Sequence, residues 1–281
     1  MTTAVPTSVG RSRFGVLLAA GQVRYQLLLL LRSPIGTFTT LVVPLMLLVA
    51  LNVVTPETAL RELHGIPYAN FLTPAMATFA LVNGCYVNVI TSVVVAREGG
   101  VLKRLHGTPL PLWAYAMGRM ASAAVISLAS IVVVFAVGVI FMHVHLDPGR
   151  VAALAGVAGL GVATFTTLGL AVSSLIPRPD TALPVAYGTL LPVAFVSDVF
   201  FPATAAPHWL QHLSASFPLS PIAKSAERIF ASDAGGWPMS RHQLIVTLAW
   251  IAGAALVTSL TFRWQPSSSP RFAWFRRLQR H

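Results

Sequence analysis

A succession of apolar runs, each long enough to cross a bilayer, constrains this chain more than any other feature of its sequence. A membrane-spanning helix needs about 20 apolar residues. Hydrocarbon offers no partner for backbone N–H and C=O groups, so runs of this length must close their hydrogen bonds internally as helices. Six such segments are read: Ile35–Val54, Asn70–Val95, Met120–Met142, Val151–Ile176, Thr181–Ser197 and Leu244–Phe262. With 55% hydrophobic and 10% charged residues in 281, an ordinary soluble domain is excluded. The expected class is an all-α integral membrane protein. The fifth segment is short and carries Pro184 and Pro192, so it is expected to be kinked or broken and packed inside the bundle. In the fourth, Ala152/Gly156 and Ala155/Gly159 form small-xxx-small pairs that point to close helix packing.

Charge sets the orientation. The net charge of +11 would direct a soluble protein toward nucleic acid, but here it is segregated by side. With both termini, the 96–119 loop and the 177–180 loop inside, 14 of the 19 Lys and Arg fall inside and 6 of the 8 acidic residues fall outside. Basic residues remain on the cytoplasmic side of membrane proteins, so both termini are expected in the cytoplasm, at the plasma (inner) membrane, and nucleic acid is not a partner. Residues 1–10 have neither the basic start nor the apolar stretch of a cleavable signal. Residues 1–34 are read as a cytoplasmic N-terminus with an interfacial helix, 35–262 as the six-span domain, and 263–281 as a basic tail. That tail carries Arg271, Arg276, Arg277 and Arg280 beside Phe272, Trp274 and Phe275, and is expected against anionic lipid. Cys85 is the single cysteine, which excludes an intrachain disulfide.

Several chemistries drop out. No GxxxxGK[ST] phosphate loop occurs, so a nucleotide would have to bind another chain. No Asp or Glu lies in the core of a span, whereas ion-coupled carriers place ionisable groups at the midplane. His208 and His212 have the spacing of two zinc ligands, but Trp209 stands where a metalloprotease helix has Glu, and they read as interfacial histidines. His143, His145 and Asp147 read as a polar loop. No metal site and no catalytic residue is assigned.

The most punctuated stretch is Ala96–Met120, AREGGVLKRLHGTPLPLWAYAMGRM. At 100° per residue Val101, Leu102 and Leu105 share one arc, while Arg97, Lys103, Arg104 and His106 lie outside it. A short amphipathic surface helix follows, closed by Gly107, Pro109 and Pro111. Glu98 falls within the apolar arc, to serve the helix N-terminus or a protein partner. The ordered string Arg97-Glu98-Gly99-Gly100-Val101-Leu102-Lys103-Arg104-Leu105, then Thr108-Pro109-Leu110-Pro111 and Gly118-Arg119, resembles the signature of type-2 ABC transporter permeases. Ala96 and Val101 depart from the usual acidic and small hydroxyl residues. A second anchor lies in 198–239: Phe201-Pro202, Pro207-x-Trp209-Leu210, Phe217-Pro218-Leu219 and Arg228.

The resemblance implies a cytoplasmic coupling helix in 96–119 that docks on a separate ATPase subunit, with Arg97, Glu98, Leu102, Lys103, Arg104, Leu105, Pro109 and Pro111 as coupling residues. It implies an outer re-entrant helical hairpin in 198–239 near the exit, marked by Phe201, Pro202, Trp209, Pro218 and Arg228. It implies two ATPase copies carrying ATP and magnesium, no cofactor on this chain, and a second permease subunit, identical or related. In the second span Asn88, Thr91 and Ser92 share one helix face, with Asn83 nearby and Tyr187 on the fifth. These polar groups either bond neighbouring helices or line the pathway that the resembled family forms between subunits. The expected function is export of an amphipathic drug, antibiotic or lipid, the alternative being a six-span scaffold or assembly protein.

Overall fold

A computed structural model describes residues 38–54, 68–100, 112–144, 147–197, 199–200, 208–231 and 237–261. Among these residues regular structure is entirely helical. Helix α1 comprises a π-helical turn, Phe38–Val42, and Val43–Val54. Helix α2 runs through Tyr68–Val82, a π turn Asn83–Val87, and Asn88–Glu98. There follow α3 (Leu112–Met142), α4 (Val151–Leu175), α5 (Pro179–Val196), α6 (His208–Ser216), α7 (Leu219–Ala231) and α8 (Arg241–Thr261).

Four of these are long and apolar enough to cross a membrane: Ala69–Glu98, Met120–Met142, Pro148–Leu175 and Arg241–Thr261. The protein is therefore a multi-pass membrane protein. The other two expected spans are weaker by this measure. The described apolar part of α1 is the shorter Thr40–Val54, and the 18 residues of α5 are diluted by Asp180, Thr181, Pro184 and Pro192. The second span continues past Val95 to Glu98, and the third keeps its expected bounds, Met120–Met142, on a helix that already begins at Leu112. Good helix formers such as Ala114, Ala116 and Met117 carry the third helix back toward Pro111.

The core is built around α2. Of its most apolar window 72% is buried, against 39% for α3 and α4 and 11% for α8, so α2 is the hub and α8 the rim. Leu72, Met76, Phe79 and Ile90 are fully enclosed, where α2 meets α1, α3, α4, α5 and α7. Glycines set the closest approaches. A Cβ at Gly84 would sit 3.1 Å from Ser127 Cα on α3, and one at Gly169 would sit 3.2 Å from the Tyr86 carbonyl. The small pairs expected to pack α4 are not the ones that do so. Ala152, Ala155 and Gly159 are exposed, and Gly156 faces the Trp237 ring. Gly161 and Gly169, on the opposite face, carry the contact with α2.

Helix α5 departs from expectation. It is continuous from Pro179 to Val196 and is buried only along Ala182, Ala186, Leu190 and Ala194. That i, i+4 stripe of mostly small residues lays α5 flat on α2, while its other faces, Leu183, Val185, Leu191 and Phe195 among them, remain exposed. The helix covers the bundle rather than sitting inside it.

Helices α6 and α7 form a hairpin turned at Phe217-Pro218. The Trp250 indole donates to the Ser216 carbonyl (2.8 Å), nine residues or about 14 Å along α8 from its first residue. Ile222 lies against Gly161, about 15 Å along α4. The other end of α7 is level with the start of α4, where Arg150 Nη1 donates to the Ile229 carbonyl (2.6 Å). The hairpin thus reaches into the bundle to roughly the middle of α4 and α8, and α7 climbs back to their starts. Its apolar residues Leu219, Ile222, Ala223, Ala226 and Ile229 are buried.

Candidate transport pathway and coupling end

At one end of the bundle stands Arg97, which the helical wheel puts outside the apolar arc and the resemblance assigns to coupling. It is instead buried. Its place on α2 explains this: Ile90, Val93, Val94 and Arg97 recur at helical spacing on the buried face. A guanidinium removed from water is costly unless its donors are matched. Here Nη1 donates to the Ser173 carbonyl (3.1 Å), Nη2 donates to the Ile176 carbonyl, and Nε pairs with Glu98 Oε1 (3.3 Å). Both carbonyls belong to the end of α4, where four backbone acceptors lack helical partners and the dipole favours a cation. Arg97 is thus a cap on α4. Glu98 is the last residue of α2 and is half-buried beside it. After it Gly100 takes the left-handed backbone (φ 71°) that leads the chain away.

Only the residues 176–178 separate α4 from α5, with Ile176 extended at the α4 terminus and Pro179 starting the next helix. The Arg97 bond to Ile176 therefore holds the link that aims α5. On the other side of α4, Ser174 Oγ meets Thr261 Oγ1 of α8 at 2.5 Å.

Midway along α2, the π turn builds a polar seam with α5. Asn83 is fully buried; its Nδ2 donates to the Phe79 carbonyl (3.0 Å) and its Oδ1 accepts from Tyr187 Oη (2.9 Å). Three residues on, the Tyr86 and Thr189 hydroxyls share a bond of 2.8 Å. The same turn faces α3, where Cys85 Sγ and Ser127 Oγ lie 2.9 Å apart and Ser127 Oγ donates to the Leu81 carbonyl (3.1 Å). The Asn83 amide bonds back to a carbonyl one turn earlier on its own helix, which leaves its oxygen for α5.

Asn88, Thr91 and Ser92 are half-buried, between the seam and Arg97. Thr91 Oγ1 donates to the Val87 carbonyl (2.9 Å) and Ser92 Oγ to those of Asn88 and Val89. These hydroxyls are satisfied by their own helix, so they tolerate either an apolar or a wet neighbour. On the hairpin, Trp209 is 67% exposed, Pro218 is buried, and Arg228 Nη1 donates to the Pro238 carbonyl (3.3 Å) and to Gln243 Oε1 (3.2 Å). That ties α7 to the start of α8. Leu102, Lys103, Arg104, Leu105, Pro109, Pro111, Phe201 and Pro202 lie outside the described residues, as do the N-terminal interfacial helix and the basic tail. Among the described residues, no three of His, Cys, Asp and Glu gather as metal ligands would. Sequence reading missed the α4 carbonyls, Ser127, and the Tyr86–Thr189 pair. Only the Arg97 contact had a signal, its register on the apolar stripe of α2.

The sequence model of the ABC-2 type transporter family matches residues 22–230, from before α1 to the last turn of α7. The chain belongs to the ABC-2 type transporter family. Among curated proteins, it is 25% identical over 172 residues to the "Probable multidrug ABC transporter permease YbhR" of Escherichia coli strain K12. The same-named protein of E. coli O157:H7 matches equally. That match covers 60% of this chain and 46% of the relative, so the chain spans about half the length of the curated relatives it matches.

Proposed function

We propose that this chain is the membrane-spanning subunit of an ATP-driven exporter of amphipathic molecules, a drug, antibiotic or lipid. It crosses the inner membrane six times with both termini in the cytoplasm, α1 and α5 completing the set of spans. The hairpin α6–α7 enters from the outer side as a re-entrant element near the exit. ATP and magnesium bind two copies of a separate cytoplasmic ATPase, and a second permease subunit, identical or related, completes the pathway.

The family match over residues 22–230 carries this reading. A cavity between α2, α3, α4 and α7, lined by residues such as Leu81, Phe135, Val157 and Ala226, measures about 20 Å³, room for about one water and far below the roughly 300 Å³ or more of a ligand pocket. In this reading substrate passes between the two permease subunits, along the face of α2 that carries Asn88, Thr91 and Ser92. Leu102 and Leu105 give the coupling helix an apolar contact, Lys103 and Arg104 meet acidic groups on the ATPase, and Pro109 and Pro111 set the exit angle.

The experiment replaces Lys103 and Arg104 together by Glu and measures ATPase recovery in pull-down, with membrane abundance in parallel. Normal abundance with weakened ATPase recovery is expected, since like charges at an interface cost several kcal/mol. Normal recovery together with normal transport would show that the two charges serve topology alone.

A further inference from the structure

The bonds of Arg97 join the end of α2 to the α4–α5 junction, 76 and 79 positions farther along the chain. Arg97 is on the last turn of α2, at the start of the 96–119 stretch to which the proposed function assigns coupling. Its two Nη atoms hold Ser173 at the end of α4 and Ile176 in the short link to α5. Farther along, Asn83 with Tyr187 and Tyr86 with Thr189 bind α2 to α5 directly. Helix α5 is therefore fastened to α2 at mid-length by side chains and at its root through Arg97. At this end α8 meets α4, where Ser174 Oγ and Thr261 Oγ1 lie 2.5 Å apart.

We infer that Arg97 is a positioning residue of the transport cycle: it locks α2, the α4–α5 link and α5 into one unit that moves together when the adjoining coupling stretch is displaced. This rests on the ATP-driven reading above for the source of the displacement, but the lock itself does not. A fork of donors suits the task. The planar guanidinium holds two carbonyls in fixed directions, which a flexible point charge cannot do. The left-handed Gly100 lies just beyond, so the backbone bends after the lock rather than within it.

The test uses the complete protein, purified with its co-purifying ATPase and with Cys85→Ser as background. Spin labels are placed at Val95 and Leu183, both exposed on α2 and α5, and in a second sample at Val95 and Leu256 of α8. Singly labelled samples identify distances between two copies of the chain. Vanadate trapping with ATP should shift the Val95–Leu256 distance and leave Val95–Leu183 unchanged. Arg97→Met should broaden the Val95–Leu183 distribution even without nucleotide and abolish its constancy on trapping. Arg97→Lys, which reaches one carbonyl, should fall between the two, and it serves as the test if Arg97→Met does not accumulate. A Val95–Leu183 distance that shifts in the unsubstituted protein, or is unaltered in the Arg97 variants, overturns the lock. If neither pair responds to ATP in the unsubstituted protein, the ATP-driven reading fails. The nucleotide-free distribution of the Arg97 variants then decides the lock on its own.

Discussion

Replacing Tyr187 by Phe isolates the α2–α5 seam, because it deletes one hydroxyl and little volume. The hydroxyl donates to Asn83 Oδ1 at 2.9 Å, and Asn83 is only 2% exposed, so after the change that oxygen has neither Tyr187 nor water. An orphaned buried acceptor costs about 1–3 kcal/mol. Interhelical hydrogen bonds in membranes average about 0.6 kcal/mol and reach about 1.7. The expected loss is thus about 1–2 kcal/mol, close to a tenfold change in the folding equilibrium. Tyr86→Phe removes a bond of similar length, 2.8 Å, yet should cost less, about 0.6 kcal/mol or below. Its partner Thr189 is exposed and already donates to the Val185 and Ala186 carbonyls. Asn83→Leu combined with Tyr187→Phe removes donor and acceptor together, so the pair should show a coupling of about 1 kcal/mol relative to the separate changes. Reversible unfolding by SDS in mixed micelles reads all four variants. A Tyr86→Phe variant as destabilised as Tyr187→Phe, or strictly additive losses at Asn83 and Tyr187, would refute the reasoning.

Two further predictions follow from packing and charge. Gly84→Ala places a methyl against Ser127 Cα, a backbone atom that cannot turn aside, so α2 and α3 must separate at a cost of about 1–3 kcal/mol. Gly253→Ala, with nothing within 4 Å, should be neutral or stabilising by up to about 1 kcal/mol in the same unfolding assay. For topology, a cysteine at Trp237 should react with an impermeant thiol reagent added to intact cells, and one at Asp180 should react only after the membrane is opened. Labelling of the Asp180 position from outside would invert or break the proposed arrangement.

The helical class and the approximate positions of four spans were legible because hydropathy is a property of local runs, and a helix in lipid answers mainly to that. The division of the hairpin was legible too, since Pro218 cannot continue the α6 ladder. What escaped depends on partners distant in the chain. Asn83 and Tyr187 are 104 positions apart, and nothing local in either residue names the other. A small residue permits a close approach without providing the neighbour, which is why Gly161 and Gly169, rather than the Ala152–Gly156 and Ala155–Gly159 pairs, face α2. Arg97 was read with the loop charges as exposed, although its register continued the buried stripe of α2; the orphan carbonyls at the end of α4 make its burial tolerable. The two prolines of α5 point to a kinked or broken helix inside the bundle; the helix is unbroken, and its single buried stripe of mostly small residues leaves its other faces exposed.

The central claim is that this ABC-2 chain forms a pathway energised by a separate ATPase, and its most direct test is the composition of the complex extracted from native membranes. Native mass spectrometry of the affinity-purified chain, with ATP hydrolysis measured on the same sample, should find two permease subunits with two ATPase subunits and magnesium-dependent hydrolysis. A chain that purifies without a nucleotide-hydrolysing partner under conditions that keep other membrane complexes intact would contradict it.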